Sequence, residues 1–219
     1  MKLTREFYNR DTLTVARELL GKRLVHVIDG VERGGKIVEV EAYIGPEDKA
    51  SHTYNGRRTE RNEAMYGPPG HVYVYFIYGM YHCVNVVTNA EGKPEAVLLR
   101  ALEPTDGIEQ IVEARYGKTG PVSRREYINL LNGPGKICRG LAIDRKHNGM
   151  DLCGDELFIT SDFSPGTANE EAFQIEAGPR INIHYAEEAI HYPWRFYIAG
   201  NPFVKKINAV KPKRGQERL

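Results

Sequence analysis

This chain predicts an α+β fold: a single compact mixed domain, an antiparallel sheet with a protruding β-hairpin and surrounding helices. Three observations carry that reading. Short runs with period-two alternation recur between Gly- and Asn-containing turns, stretches of helical periodicity lie between them, and neither an internal repeat nor a sharp composition boundary occurs before residue 205. The 219 residues, 41% hydrophobic and 27% charged, are enough for one core. No apolar run approaches the roughly 18 residues of a membrane span, and MKLTREFYNRD lacks the apolar segment of a signal peptide. Cys83, Cys138 and Cys153 are odd in number, widely spaced and without a CxxC. That pattern points away from a disulfide framework or zinc site and toward a reduced, intracellular compartment.

Taken in order, Asp11 is placed to cap a helix with the apolar stripe Leu13, Ala16, Leu19 and Leu20, stopped by Gly21. A strand at Arg23–Ile28 is followed by the two-residue hairpin signal Asp29-Gly30. After Gly34-Gly35, KIVEVEAYI (36–44) alternates, with Val38, Val40 and Ala42 on one face and Glu39, Glu41 and Tyr43 on the other. Residues 45–70 form a long Gly-, Pro- and charge-rich loop, a length that marks function or disorder in a compact domain. Ala96–Leu102 reads as a strand closed by Pro104, with Arg100 among aliphatics, where an arginine calls for an acidic partner. Helices are expected over 106–117, from the capping box Ser-Arg-Arg-Glu at Ser123 to Asn132-Gly133, and from Pro134 to about Leu141. Strands are expected at Glu156–Thr160, Phe173–Glu176, Ile181–His184 and Trp194–Ile198.

The most informative stretch is HVYVYFIYGMYHCVN (71–85), which carries Tyr73, Tyr75, Tyr78 and Tyr81 around a lone Gly79. A three-residue loop Ile77-Tyr78-Gly79, with Gly79 left-handed, pairs Phe76 with Met80 and Tyr75 with Tyr81. Tyr73, Tyr75, Tyr81, Cys83 and Asn85 then share a face and Tyr78 occupies the apex. A two-residue Gly79-Met80 turn would move Asn85 to the other face from Tyr75. Tyrosine is a good strand residue, so this stretch alone is explained by sheet packing. An apical aromatic above a face of tyrosines also suits wedging into a base stack and receiving a base.

Net charge is +1, so no global basic field attracts nucleic acid. Its distribution is uneven. Residues 205–219 hold six cations against one glutamate (+5), which leaves −4 on the rest, and residues 49–61 hold Lys49, Arg57, Arg58 and Arg61 against Glu60 (+3). Such runs are usually solvated surface. For chemistry the candidates are carboxylates. Glu41, beside an aromatic-rich sheet, could activate water as a general base, with burial raising its pKa and an arginine such as Arg100 lowering it. Glu39 and Glu41 are equally compatible with solvent-facing strand positions. A zinc deaminase would need His-x-Glu with Pro-Cys-x-x-Cys; that pattern and HExxH are both absent, and His52, His71 and His82 lack metal-ligand spacing. LNGPGKICRGLAI between two helices is weakly similar to a phosphate-binding Gly-x-Gly hairpin.

EVEAYIGPEDKASH, RNEAMYGPPGHVYVYFIYGMYHCVN, VLLRALEP, LNGPGKICRGLAID and PWRFYIAGNPFV together resemble the alkyladenine (3-methyladenine) DNA glycosylases, over about residues 7–207. The resemblance implies one glycosylase domain over 1–219 with a basic tail from about residue 205. It implies a monofunctional enzyme that flips alkylated or deaminated purines out of duplex DNA and hydrolyses the N-glycosidic bond with water, without cofactor or metal. Its implied partner is double-stranded DNA containing damaged purines, with no membrane, and the protein acts as a monomer. Carried onto matching positions, it makes Glu41 the base, with Arg100 and the Ile181 carbonyl holding the water. Tyr43, His52 and Tyr75 become walls of a base slot read near Ala50 and His52, and Asn85 lies where a guanine 2-amino group would clash. Tyr78 becomes the intercalating wedge with Met65 nearby, and Arg57, Arg58, Arg61 and Lys136 with the 205–218 region the phosphate contacts. Glu63, His71 and a two-residue insertion before Val97 depart from the human-type pattern, which leaves lesion range open. Two other classes compete: a DNA-distorting protein that only inserts Tyr78, and a sugar-directed glycosidase using Glu39 with Glu41.

Overall fold

The structure is a computed structural model that describes residues 1–77, 79–161 and 173–205. Its axis is β2 (Val31–Ile44), a 14-residue strand longer than the alternation alone predicts. It begins directly after the Asp29-Gly30 turn from β1 (Arg23–Ile28), both turn residues having positive φ as a tight hairpin requires. Gly34 and Gly35 lie inside the strand instead of breaking it. A Cβ on Gly34 would come 2.5 Å from the Leu24 carbonyl oxygen, and one on Gly35 would come 2.6 Å from that of Glu103. The two glycines let β1 and the next strand close on β2 from both sides.

β3 (Val72–Ile77), β4 (Tyr81–Thr88), β5 (Glu95–Asp106) and β6 (Leu157–Thr160) complete an antiparallel order β3-β4-β5-β2-β1-β6. β7 (Ile175–Gly178) pairs with β8 (Arg195–Ile198), which joins β2 at Glu39–Glu41 beyond the reach of β1. Pro104 sits within β5 opposite Gly35, next to a register shift, instead of ending the strand. Residues 181–184 are not a strand; their chain turns, with Ala186 N–H bonded to the Ile183 carbonyl.

The hairpin keeps the expected face but not the expected pairing. Ile77 pairs with Tyr81, Tyr75 with Cys83 and Tyr73 with Asn85, so three residues, 78–80, lie between the paired ends. This is a slip of two residues from the expected register, with Gly79 (φ +68°) now the central residue of the connection. A slip of two preserves side-chain parity, so Tyr73, Tyr75, Cys83 and Asn85 still share a face. Tyr78, the expected wedge, lies outside the described residues, as do residues 206–219 of the basic tail.

The helices are α1 (Arg5–Tyr8), α2 (Thr12–Leu19), α3 (Ile108–Tyr116), α4 (Arg124–Ile128) and α5 (Pro134–Gly140). Asp11 caps α2 through the Thr14 amide, and the Ser123–Glu126 box is complete. α4 is shorter than expected because Leu130 and Leu131 turn into the core, where the Leu131 carbonyl accepts from the Leu102 amide. α2, α3 and α5 cover the sheet face bearing Val38, Val40, Ala42, Val84, Val86, Val97 and Leu99. At about 1.5–3 kcal/mol for each large aliphatic, this face anchors the fold. No helix among the described residues is long and apolar enough to cross a membrane.

Candidate active site

Alternation puts a different set of side chains on the opposite sheet face. Successive cross-strand partners Tyr73, Asn85, Leu98 and Glu41 form one row across β3, β4, β5 and β2, and the neighbouring row holds Val87, Ala96 and Tyr43. Over this face folds the long 45–70 loop. His52 from it meets the Tyr75 ring edge-on at 4.7 Å, and Tyr73 and Tyr75 lie 5.4 Å apart. The Tyr73 hydroxyl is 2.9 Å from His52 Nδ1. The resulting slot is lined by Tyr43, Ala50, His52, Met65, Tyr73, Tyr75, Asn85, Ala96 and Tyr185.

Glu41 stands behind this slot. It is 0% exposed, yet its neighbours are polar. The Tyr43 hydroxyl donates to Oε2 (2.8 Å), the Ile181 amide donates to Oε1 (2.6 Å), and Arg100 Nη1 lies 3.3 Å from Oε2. Tyr43 is therefore both a slot wall and a ligand of the carboxylate. The solvent-facing reading of Glu39 and Glu41 is excluded, because both are buried. Glu39 accepts from Arg195 Nε (2.6 Å), Arg100 Nε (3.3 Å) and the Lys205 amide (3.3 Å). Arg100 thus bridges the two carboxylates. The resemblance gives the Ile181 carbonyl a role in holding the water; its N–H holds Glu41 itself.

A second ion pair positions the wall. Arg180 grips Asp48 with both terminal nitrogens (2.5 and 2.8 Å), donates to the Ala42 carbonyl (2.9 Å), and lies over the Tyr43 ring at 4.8 Å and the Trp194 ring at 5.0 Å. Asp48 in turn accepts from the Ile44 and Ala50 amides, so it fixes the entry of the 45–70 loop. Both side chains are fully buried.

Burial sets the protonation states of the walls. It pushes the Tyr43 phenol well above its ordinary range, with nearby Glu41 adding to the effect, and it does the same to Tyr75. Desolvation, reinforced by Arg61 and Arg57, lowers His52 to about 4. At neutral pH the slot therefore presents neutral aromatic rings.

The remaining candidates are dispersed. Asn85 is buried at the floor, where its Nδ2 donates to the Tyr73 carbonyl (2.9 Å). Met65 is 2% exposed and packs with Tyr73, Val87 and Ala96. It lines the slot. Arg57 and Arg61 line a second, open cleft that shares His52, Tyr73 and Tyr185 with the slot. Arg58 faces away from it, paired with Glu63 and lying over the Tyr66 ring. Lys136, at the start of α5, binds the Asn129 and Asn132 side-chain oxygens and so fastens the turn before its helix.

Sequence reading missed Tyr185, 66% exposed, whose hydroxyl donates to the Ala50 carbonyl at the slot mouth. It also missed the Arg180–Asp48 pair and Arg195. No local pattern marks these residues, since each acts across more than 130 positions of sequence.

Residues 6–202 match the model of the methylpurine-DNA glycosylase family. A Bacillus cereus protein (strain ATCC 14579) named "Putative 3-methyladenine DNA glycosylase" is 58% identical over 207 residues, covering 94% of this chain and all of the relative. A Bacillus cytotoxicus relative of the same name is 56% identical with the same coverage. The extent of the match and the degree of identity agree: this chain belongs to the methylpurine-DNA glycosylase family.

Proposed function

We propose that this chain excises alkylated purines from double-stranded DNA by hydrolysis, with Glu41 as the base that activates water. The observation that carries the assignment is the placement of Glu41 directly behind Tyr43, held by the Ile181 amide and Arg100. A base stacked on Tyr43 lies one side chain from the carboxylate. Glu41 takes a proton from water as the water oxygen bonds to C1′, and the N-glycosidic electron pair leaves with the purine. A cationic alkylated purine departs neutral, so that substrate needs no acid.

Extruding the nucleotide costs a few kcal/mol, and each aromatic–base stack returns about 1–3 kcal/mol. Tyr43, His52 and Tyr75, which line the slot, supply that return. Neutral His52 and un-ionised tyrosines attract a cationic base through their π faces without a repelling charge. Asn85 at the floor is the group that discriminates against a purine 2-amino group. Tyr78 fills the vacated stack, and Arg57 and Arg61 follow the phosphates beside the slot mouth. A glycosidase using both glutamates is disfavoured because Glu39 is already held by two arginines.

The test is Glu41→Gln assayed on a duplex carrying 3-methyladenine. Loss of base release with retained lesion binding is expected. Unchanged release removes Glu41 from its role.

A further inference from the structure

His26, His147 and Glu156 come from three separated parts of the chain and meet at one point remote from the slot. His26 lies on β1, paired with Leu157 of edge strand β6, Glu156 immediately precedes β6, and His147 ends the 3-10 turn Arg145–His147 that follows α5. One ligand atom from each falls within 4.8 Å of the other two. His26 Nε2 is 3.8 Å and His147 Nε2 4.0 Å from Glu156 Oε1, too long for hydrogen bonds. The two rings meet edge-on at 4.8 Å.

Two features separate this group from a packed histidine pair. His147 is 0% exposed and its Nε2 is a buried nitrogen without a hydrogen-bond partner. An unsatisfied buried polar atom of that kind costs about 1–3 kcal/mol. The other nitrogen of His26 is engaged in the manner of a metal-bound imidazole, and that of His147 has a carboxylate within reach. His26 Nδ1 lies 2.6 Å from the Leu141 carbonyl, which can only accept, so Nδ1 carries the proton and Nε2 offers its lone pair. His147 Nδ1 has the Asp144 amide at 3.0 Å and Asp144 Oδ1 at 3.1 Å, so it can either accept from the amide or donate to the carboxylate. Loading Nε2 selects the second arrangement, a carboxylate–histidine–metal relay.

We propose that His26 Nε2, His147 Nε2 and Glu156 form a binding site for a divalent ion of the zinc class. Two imidazoles and a carboxylate are the borderline donor set such ions favour, with a fourth position left to water. Glu156, with its side chain 58% exposed, is the solvent-side ligand and the route of entry. Tetrahedral bonds of about 2.0–2.2 Å place ligand atoms about 3.3–3.6 Å apart, so the three atoms, now within 4.8 Å of one another, close by up to about 1.5 Å on binding. The ion would clip edge strand β6 and the 145–147 turn to β1, a structural role separate from base release. Sequence spacing hides such a site, because its ligands stand at positions 26, 147 and 156 and no two share a motif.

The test uses the full chain without an affinity tag, titrated with zinc against a chromophoric chelator, alongside thermal unfolding with zinc or with EDTA. One equivalent bound, a higher unfolding midpoint with zinc, and reversal by EDTA are expected. His147→Gln and His26→Gln abolish both effects. Glu156→Gln, at an exposed position that does not threaten folding, weakens zinc binding at least about tenfold and leaves base release unchanged. Cobalt in place of zinc gives visible absorption bands of a four-coordinate nitrogen–oxygen site, lost in the same variants. Absence of stoichiometric binding at micromolar zinc, or binding unaltered in Glu156→Gln and both histidine variants, overturns the proposal.

Discussion

Glu39 and Glu41 lie two residues apart on one strand face, equally buried and sharing Arg100, yet they are held differently. Glu39 accepts from two arginines and a backbone amide. Glu41 accepts from a phenol and a backbone amide, with Arg100 alongside. The first carboxylate is neutralised twice and walled off. The second is held mainly by neutral donors, one of which belongs to the slot itself. Burial does not distinguish Glu39 from the proposed catalytic acid Glu41; the identity of the donors does.

The largest stability effect should fall on Glu39. Glu39→Gln leaves Arg195 and Arg100 with one carboxylate between them, and breaking a buried pair in this way costs about 3–5 kcal/mol. Urea unfolding measures it. Glu41→Gln should cost less, on the order of 1 kcal/mol, because its other two donors are neutral hydrogen-bond donors. Equal losses would erase the contrast.

The comparison sharpens at the slot. Tyr75→Ala should weaken binding to a lesion-bearing duplex by about 1–3 kcal/mol, the value of one base stack, while unmodified duplex is bound nearly as before. Equilibrium binding to the two duplexes reads the difference.

His52 gives a pH signature. Its folded pKa is lowered to about 4 from an ordinary 6.5, so between those values the unfolded chain binds the proton and the folded chain does not. Stability is therefore lost as pH falls from about 6.5 toward 4. His52→Gln should flatten that part of the profile, by at most about 3 kcal/mol at 1.36 kcal/mol per unit. His26, also lowered by burial, contributes in the same direction and remains in the variant.

The smallest effect expected is electrostatic. Arg57→Ala and Arg61→Ala should each reduce the slope of log affinity against log salt by about 1. An unchanged slope would place the phosphates elsewhere.

Much of this was legible in the sequence because parity is robust. Alternation in KIVEVEAYI puts Glu39, Glu41 and Tyr43 on one face, and that face survives both the β2 irregularities and the two-residue slip of the hairpin. What parity cannot report is distance. The Ile181 amide reaches Glu41 across 140 residues, Arg195 reaches Glu39 across 156, and Arg180 reaches Asp48 across 132. Pro104 and Gly34-Gly35 misled as boundaries for a related reason. Their propensities describe an isolated strand, whereas the close approach of β1 and β5 to β2 favours the two glycines, which lack a Cβ, and Pro104 sits beside a register shift opposite Gly35.

The account stands most directly on single-turnover base release from a 3-methyladenine duplex, measured in parallel for Glu41→Gln and Glu39→Gln and normalised to folded protein. It predicts a fall of about 10²–10⁴-fold for Glu41→Gln, the usual worth of a general base, and less than about tenfold for Glu39→Gln. Equal losses in the two variants, or the larger loss at Glu39, would contradict it.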